Sequence, residues 1–245
     1  MNTPRFLPAG DAALMVEFGR IIDPAINAAV GALMDSLAAQ PIPGMAEAVP
    51  AYASLLITFD PVRISAGALR RRIARRLRAL RATPQDGVAQ VSVLRVPVCY
   101  GGEYGPDLAF VAGHTGLSPV EVVARHTAPR YRIYMLGFLP GFPYLGGLDA
   151  ALETPRLQTP RTQIPAGAVG IGGKQTGIYP LASPGGWQLI GRTPLRPYDP
   201  RQAQSILYKP GDCVRFEAVS PAAYAAIAAR VAEGDYVPAW QREVL

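Results

Sequence analysis

Arginine and polar side chains crowd into one turn-rich stretch of this chain, where each arginine stands beside Thr-Pro or glycine. The residues are Arg156, Arg161, Arg192, Gln175, Thr176 and Tyr179. A guanidinium fork matches the geometry of a carboxylate or a phosphate, and a turn-rich β surface can hold several such groups convergently. Hydrogen bonds to loop carbonyls explain any single one of these arginines about as well. The crowding of the group indicates an anion-binding surface.

A glycine-rich segment, GAVGIGGKQT over residues 167–176, superficially looks like a phosphate-binding loop. The pattern G-x-x-x-x-G-K-[ST] would need glycine at Ala168 and Ser or Thr at Gln175. The residues that follow, TGIYPLASPGG, cannot supply the helix whose N-terminus would bind phosphate. We therefore predict a tight turn between two strands, with an anion-binding nest of glycine N–H groups as the weaker alternative.

Side chains with other catalytic chemistry are sparse. Ser183 lies in LASPG, where a nucleophile elbow would require a glycine two residues earlier. The two histidines, His114 and His126, flank a predicted helix 12 residues apart, and we expect a structural role for each. Cys99 and Cys213 form no metal-ligand pattern and are expected to be buried thiols. The sequence identifies no catalytic residue and predicts no metal site.

The stretch that carries the anion-binding candidates has an unusual composition. Between Tyr131 and Arg192 lie 12 glycines and 7 prolines, together with seven aromatic residues. Disordered segments rich in glycine and proline lack the aromatic residues that could bury enough area to offset ordering entropy. The stretch therefore predicts short buried strands joined by turns, in a region that begins with the strand at Val91 and closes into a shaped β surface. Two capped helices, starting near Ser118 and Ser220, interrupt this region.

The first 90 residues show a different pattern, in which strands and helices alternate. The elements are a strand at residues 13–18, a helix from Pro24 to about Ala39, a strand at residues 52–59 and an arginine-rich helix. This β-α-β-α order predicts a small α+β sandwich with both helices on one face of the sheet. We place the domain boundary near residue 88, which gives domains 1–88 and 89–245.

Charge and hydropathy narrow the class of partner. The net charge is +6, but seven arginines lie on the second predicted helix, where Leu69, Ile73, Leu77 and Leu80 recur at helical spacing. An amphipathic helix with a solvated basic face explains this pattern, and no interleaved aromatic residues offer a stacking platform for nucleic acid. The sequence contains no signal peptide pattern and no stretch of 18 uncharged apolar residues. We expect a cytoplasmic protein that binds neither nucleic acid nor membrane.

Nine blocks spread along the chain carry a family resemblance. They are GDAAL (10–14), VEFG (16–19), VPAYASLL (49–56), VPVCYGGEYGPDL (96–108), HTGLSPVEVVARH (114–126), YRIYMLGFLPGFPYLGGL (131–148), TPRTQIPAGAVGIGGKQTGIYP (159–180), SPGGWQLIGRTP (183–194) and PGDCVRF (210–216). Block by block, the sequence resembles the B subunit of prokaryotic 5-oxoprolinase. That family was formerly labelled allophanate hydrolase subunit 1 and includes the kinase inhibitor KipI. Ala168, where the family's serine is expected, and Ala53, where a longer side chain is usual, are small departures.

The resemblance implies an N-terminal α+β domain followed by a cyclophilin-like β-barrel domain. It also implies that the chain works with subunits A and C to open 5-oxoproline to L-glutamate, coupled to hydrolysis of ATP to ADP and phosphate. ATP and Mg²⁺ are then expected at the level of the complex. The chain would contribute part of a composite active site and be inactive alone.

Such a site must hold a carboxylate, a polyphosphate and magnesium together. With that chemistry in view, we predict Arg161 and Arg192 as oxyanion or carboxylate clamps. Gln175 and Thr176 are predicted to orient polar groups, and Tyr179 is predicted to form a wall of the pocket.

Two other functions fit the same resemblance. Like KipI, the chain could bind a histidine kinase through an apolar barrel surface and block phosphotransfer. It could instead be a carboxyltransferase-type subunit of a urea carboxylase or allophanate system. The only lysines are Lys174 and Lys209, and neither lies in a biotinyl Met-Lys-Met segment, so biotin would have to arrive on another protein.

Overall fold

The computed structural model describes residues 3–82 and 90–244. The chain divides into two compact units, Met1–Gly87 and Val88–Leu245, which we call the first and the second unit. The expected boundary near residue 88 lies outside the described residues. The domain limits 1–88 and 89–245 therefore stay a prediction.

The first unit is an antiparallel sheet with two helices. Its elements are β1 Arg5–Pro8, β2 Ala13–Glu17, α1 Pro24–Ala39, β3 Met45–Pro50, β4 Ser54–Phe59 and α2 Ala66–Ala82. The strand order is β1-β2-β4-β3, and alternate residues of β2 and β4 pack with both helices in one core. Because side chains alternate across a strand, both helices cover the same face, as the sequence predicts.

The two helices of the first unit begin and pack for reasons that are visible in the sequence. Asp23 accepts hydrogen bonds from the N–H groups of Ala25 and Ile26, both at 2.9 Å, and Pro24 opens α1. In α2, the predicted apolar stripe is buried at three of its four positions. One arginine of the basic face has a structural role, since Arg76 donates to the carbonyl oxygens of Ser36 and Gln40 at the end of α1.

The second unit contains the remaining described strands and helices. They are β5 Gln90–Tyr100, α3 Leu108–Thr115, α4 Pro119–Thr127, β6 Tyr131–Leu136, β7 Pro143–Gly146, β8 Arg161–Ile164, β9 Ala168–Gly172, β10 Gln175–Ile178, β11 Ser183–Gly185, β12 Gln188–Arg192, β13 Cys213–Ala218, α5 Pro221–Glu233 and β14 Trp240–Val244. The capping box at Ser118 and the glycine stop at Gly234 are present as predicted.

The strands of the second unit form a nearly closed barrel. Seven strands follow the order β10-β9-β12-β5-β13-β6-β7, and β14 adds to β5. The first and last strands of this order, β10 and β7, meet where Gly177 of β10 lies against Phe142 and Pro143, with little room for a side chain. The expected fold class, a small α+β sandwich followed by a β-barrel unit, is confirmed. None of the helices in the described ranges has the length and hydropathy that crossing a bilayer requires.

A two-stranded sheet stands apart from the barrel order. It pairs β8 with β11, bringing Ile164 opposite Ser183 and Arg161 opposite Gly185. This pairing brings the Thr-Pro-Arg segment next to the SPGGW segment, which lies more than 20 residues further along the chain. Of the anion-binding candidates of the sequence, Arg161 lies in this small sheet, and Tyr179 lies against Gly185 of the same sheet.

Candidate functional site

A pocket lined by aromatic rings lies beside the two-stranded sheet. Its volume is about 290 Å³, and we call it the aromatic pocket. Its lining residues are Phe138, Phe142, Tyr144, Arg156, Pro160, Tyr179, Pro184, Gly185, Gly186 and Trp187. Concave sites with apolar walls and a few polar groups are the usual form of a small-molecule site, and this one is near the lower end of their size range.

The walls of the pocket are built around the buried ring of Phe142. That ring makes edge-to-face contacts with Tyr144, Tyr179 and Trp187 at centroid distances of 5.3, 5.5 and 5.7 Å. Edge-to-face pairs at these distances are favourable beyond the area they bury. Because Phe142, Tyr179 and Trp187 are all buried, the pocket has walls that are packed before any ligand arrives.

Glycines in the neighbouring segments make room for these rings. A Cβ atom on Gly172 would come within 2.6 Å of the Trp187 ring, and one on Gly185 would lie 2.7 Å from the Tyr179 hydroxyl. Both rings therefore rest directly on backbone. Close approach of rings and backbone thus explains two of the glycines in the stretch.

Arg156 brings a positive charge to the pocket lining. The side chain is exposed, and its guanidinium lies over the Trp187 ring, 5.7 Å from the centroid. Burial raises the pKa of Tyr179, while the positive charges of Arg156 and Arg161 act in the opposite direction. Both arginines are therefore close enough for their charge to act on a group in the pocket wall.

Arg161 adjoins the pocket but is already paired. Its Nη2 donates to Asp107 Oδ1 at 2.7 Å, and its Nη1 donates to the Trp187 carbonyl oxygen at 3.4 Å. The other carboxylate oxygen of Asp107 accepts the Leu189 N–H at 2.6 Å. Asp107 thus neutralises Arg161 and fixes it to the strand that follows Trp187. The sequence reasoning missed Asp107, whose only local signal is its position before α3.

The other predicted site residues lie outside the pocket lining. Arg192 is half-buried, and its Nε donates to the Ala166 carbonyl oxygen at 2.9 Å. This contact is a hydrogen bond to a loop carbonyl, the alternative role that the sequence left open for any single arginine. Gln175 is half-buried at the start of β10. Thr176 is fully buried. The structure thus brings Tyr179 and Arg161 to the pocket, and the roles predicted for all five residues stay predictions.

Thr176 belongs to a buried polar chain centred on His126 of α4. The Thr176 hydroxyl donates to the Gly170 carbonyl oxygen at 3.0 Å, so it accepts from His126 Nε2, which lies 2.8 Å away. His126 Nδ1 then accepts from the Tyr100 hydroxyl at 2.7 Å. Burial lowers the pKa of His126 from 6.5 to about 3, so the ring is neutral in this arrangement. The structural role expected for this histidine fits these contacts.

The loop between β6 and β7 holds an exposed aromatic residue at the pocket in a strained conformation. Phe138 has φ +64° and 64% of its surface exposed. The Leu139 N–H bonds to the Gly137 carbonyl oxygen at 2.7 Å, which makes a γ-turn of the rare type with positive φ. Such strain persists where the surrounding structure imposes it and is concentrated at ligand clamps and active sites.

At residue 138, the glycine variant should be more stable than the alanine variant, which is the reverse of the usual order. Phe138→Gly is expected to be more stable than Phe138→Ala by about 1 kcal/mol, because glycine adopts positive φ without a steric cost. Urea unfolding of the two variants measures the difference. Phe110 is the control, since it is similarly exposed but lies in α3, where the alanine variant should be the more stable by about 1 kcal/mol. Equal or greater stability of Phe138→Ala would show that the turn is unstrained.

The family model described as carboxyltransferase domain, subdomain C and D, matches residues 4–208. The chain belongs to this family. The matched range of the carboxyltransferase C and D family includes all the pocket-lining residues and Asp107. It ends before β13, α5 and β14.

A relative from Bacillus subtilis (strain 168) shows the same likeness. This protein, named as the B subunit of 5-oxoprolinase, is 41% identical to the chain over 223 residues. The match covers 88% of this chain and 92% of that protein. The family resemblance stated from the nine sequence blocks is confirmed.

Two solved structures superpose on the chain. The protein TTHA0988 matches with a TM-score of 0.74 and 41% identity, covering 85% of this chain and 40% of that chain. The chain therefore spans less than half the length of that protein. The urea carboxylase of Kluyveromyces lactis matches with a TM-score of 0.79 and 22% identity, covering 99% of this chain and 24% of that one, and supports the fold.

The glycine-rich segment of this family member is a hairpin. β9 and β10 pair antiparallel with Gln175 opposite Gly172, and Gly173 in the turn has φ +62°. The predicted tight turn is confirmed, and a strand follows it where a phosphate loop would have a helix. Lys174 in the turn is 82% exposed and lies 4.0 Å from Glu153.

Proposed function

We propose that the chain is the B-type subunit of a 5-oxoprolinase complex. It contributes the aromatic pocket to a composite site that opens 5-oxoproline to L-glutamate with hydrolysis of ATP. The aromatic pocket is the observation that carries the proposal. It offers apolar walls of a size that suits a small ring and a single charged group, Arg156, that suits a carboxylate. The similarity to a relative named as the B subunit of 5-oxoprolinase, over most of both chains, supports the same function.

The described residues of the pocket supply binding groups and lack a group suited to proton transfer near neutral pH. Burial raises the pKa of Tyr179 further above the neutral range. His126 has both ring nitrogens occupied by Tyr100 and Thr176. We therefore assign binding and orientation of the substrate to this chain and proton transfer to a partner subunit.

Two features of the described residues bear on where ATP and magnesium bind. The hairpin of β9 and β10 is followed by the strand β11, where a phosphate site would have a helix N-terminus. Within residues 3–82 and 90–244, no group of three or more His, Cys, Asp or Glu side chains could hold a metal ion. We propose that subunits A and C provide these sites and that this chain completes the complex.

Omission from a reconstituted complex tests this function. Purified subunits A and C are mixed with 5-oxoproline, ATP and Mg²⁺, with and without this chain, and glutamate and ADP are measured. We expect both products when all three subunits are present and at least a tenfold loss without this chain or without ATP. Full activity of A and C alone, or turnover by this chain alone, would contradict the proposal.

The exposed Phe138 favours one further candidate, a histidine-kinase inhibitor. An aromatic ring with 64% of its surface exposed beside an apolar pocket is suited to contact with a protein partner. Stoichiometric addition of the chain to a sensor kinase encoded near its gene should then abolish autophosphorylation, and Phe138→Ala should restore it. Unchanged autophosphorylation without binding would remove this candidate.

A carboxyltransferase role is a third candidate, because the matching family model is described as a carboxyltransferase domain. Addition of a biotinylated carrier protein, a biotin carboxylase with ATP and bicarbonate to charge it, and urea to the three subunits tests it directly. Carboxylation of urea would favour this role, and its absence beside 5-oxoproline cleavage would favour the 5-oxoprolinase.

A further inference from the structure

The arginines around the aromatic pocket differ in what they already bind. Arg161 is paired with the Asp107 carboxylate at 2.7 Å. Arg192 donates to a loop carbonyl and lies outside the pocket lining. In the described part of the chain, Arg156 has no carboxylate within ion-pair distance, and its guanidinium lies over the Trp187 ring. Arg156 is therefore the arginine with charge available for a ligand.

The contact with Trp187 leaves the hydrogen-bonding groups of Arg156 available. A guanidinium has five N–H donors, which all lie in its plane. A contact over the face of an aromatic ring uses the positive charge and consumes none of these donors. Trp187 can thus hold Arg156 in place while the fork stays open for a carboxylate in a bidentate pair.

The rest of the pocket lining restricts the kind of ligand. Aromatic, proline and glycine residues make up the other described lining positions, so Arg156 is the one charged residue and no Asp or Glu is among them. A ligand with one carboxylate and an apolar ring matches this lining. A ligand that also carries an ammonium group would bring a second positive charge near the Arg156 guanidinium with no carboxylate in the described lining to pair with it, which disfavours binding.

We propose that Arg156 binds the carboxylate of the ligand and that the pocket selects a small ring with a single carboxylate. The inference rests on the proposed function and deepens it, because 5-oxoproline has one carboxylate and a neutral lactam ring. The product, L-glutamate, has two carboxylates and an ammonium group. The same lining that holds the substrate therefore favours release of the opened product.

Ligand titrations of the full chain test this assignment. In a Trp240→Phe background, Trp187 is the remaining tryptophan of the two in the sequence, and its fluorescence reports the pocket directly. L-5-oxoproline should bind saturably. 2-Pyrrolidinone, the same ring without the carboxylate, should bind about 10- to 100-fold more weakly, since a charge-assisted hydrogen bond contributes that factor to affinity. L-Glutamate should also bind at least about 10-fold more weakly, because its ammonium group finds no carboxylate in the described lining.

Variants of Arg156 identify the group responsible. Arg156→Ala and Arg156→Gln should weaken L-5-oxoproline binding by about 10- to 100-fold and bring it within about twofold of 2-pyrrolidinone. Arg156→Lys should retain part of the preference, because it keeps the charge but loses the fork. Arg70→Ala is the matched control, since Arg70 also lies over an aromatic ring, that of Phe6 at 5.4 Å, and should change neither affinity.

Three outcomes would overturn the assignment: undiminished L-5-oxoproline binding in both Arg156→Ala and Arg156→Gln, equal binding of the neutral ring by the parent chain, or no saturable binding. These outcomes are separable from those of the proposed function. An active reconstituted complex in which this chain shows no carboxylate preference would remove the role of Arg156 alone. An inactive complex with the preference intact would remove the 5-oxoprolinase function alone.

Discussion

Between pH 8 and pH 5, the free energy of unfolding of the second unit should fall by about 2 kcal/mol because of His126 alone. Its pKa is about 3 in the folded chain and 6.5 in the reference state, so the unfolded chain binds one more proton within this window. Stability is therefore fully present above pH 6.5 and is lost as the pH falls toward 3. Tyr100 and Tyr131, which pack around the ring, have raised pKa values and do not titrate in this range.

His126→Gln should remove this pH dependence and also destabilise the second unit by about 2 kcal/mol, because the Tyr100 hydroxyl loses its acceptor. Urea unfolding followed by tryptophan fluorescence at pH 8, 6.5 and 5 measures both effects, since Trp187 and Trp240 both lie in the second unit. His114→Gln is the control. His114 is exposed and is the chain's other histidine, so its variant removes an imidazole without touching the buried chain of Tyr100, His126 and Thr176. An unchanged slope in His126→Gln would show that the buried ring is not the titrating group.

Gly105→Ala should destabilise the second unit by about 3 kcal/mol. A Cβ atom at residue 105 would overlap the carbonyl group of Ile190 and come within 2.7 Å of the Gly101 nitrogen, and both are backbone atoms that cannot turn aside. The same close approach lets the Asp107 N–H donate to the Leu189 carbonyl oxygen and lets the Asp107 carboxylate accept from the Leu189 N–H. The substitution should therefore also loosen the pair between Asp107 and Arg161.

Gly113→Ala provides the matched control for Gly105→Ala. Gly113 is exposed in α3 and has no atom near its Cβ position, so alanine should stabilise the unit by up to about 1 kcal/mol. Both variants are compared with the parent by urea unfolding at pH 8. Loss of less than 1 kcal/mol in Gly105→Ala would mean that β12 can move away from residue 105, and the account of how Asp107 is held would be wrong.

Local signals in the sequence were sufficient to predict the capped helices and the strands of the two cores. Asp23 with Pro24 and the Ser118 capping box each fix a helix start by short-range hydrogen bonds. β1 and β3 were missed because they are half-exposed strands at the edges of the first sheet, without a clear apolar alternation. α3 was missed because its eight residues, LAFVAGHT, are mostly apolar and show no clear amphipathic spacing.

The candidate site was less predictable, because its contacts join residues far apart in the sequence. Tyr179 lies in the pocket lining, and its role there stays a prediction. The pairing of Arg161 with Asp107 spans 54 residues, and no local pattern reveals it. The sequence therefore favoured Arg161 and Arg192 as clamps over Arg156. The same long-range pairing of β8 with β11 decides which aromatic rings converge. Composition indicated a packed aromatic region but could not show that it encloses a pocket.

The central claim is that the aromatic pocket receives the ring of a small carboxylate and that Arg156 binds its charge. A crystal structure of the chain soaked with L-5-oxoproline tests this most directly. The account predicts ligand density in the aromatic pocket, against the wall formed by Phe142, Tyr179 and Trp187, with both carboxylate oxygens about 2.9 Å from the Arg156 guanidinium. Ligand bound elsewhere on the chain with an empty aromatic pocket, or a carboxylate turned away from Arg156, would contradict it.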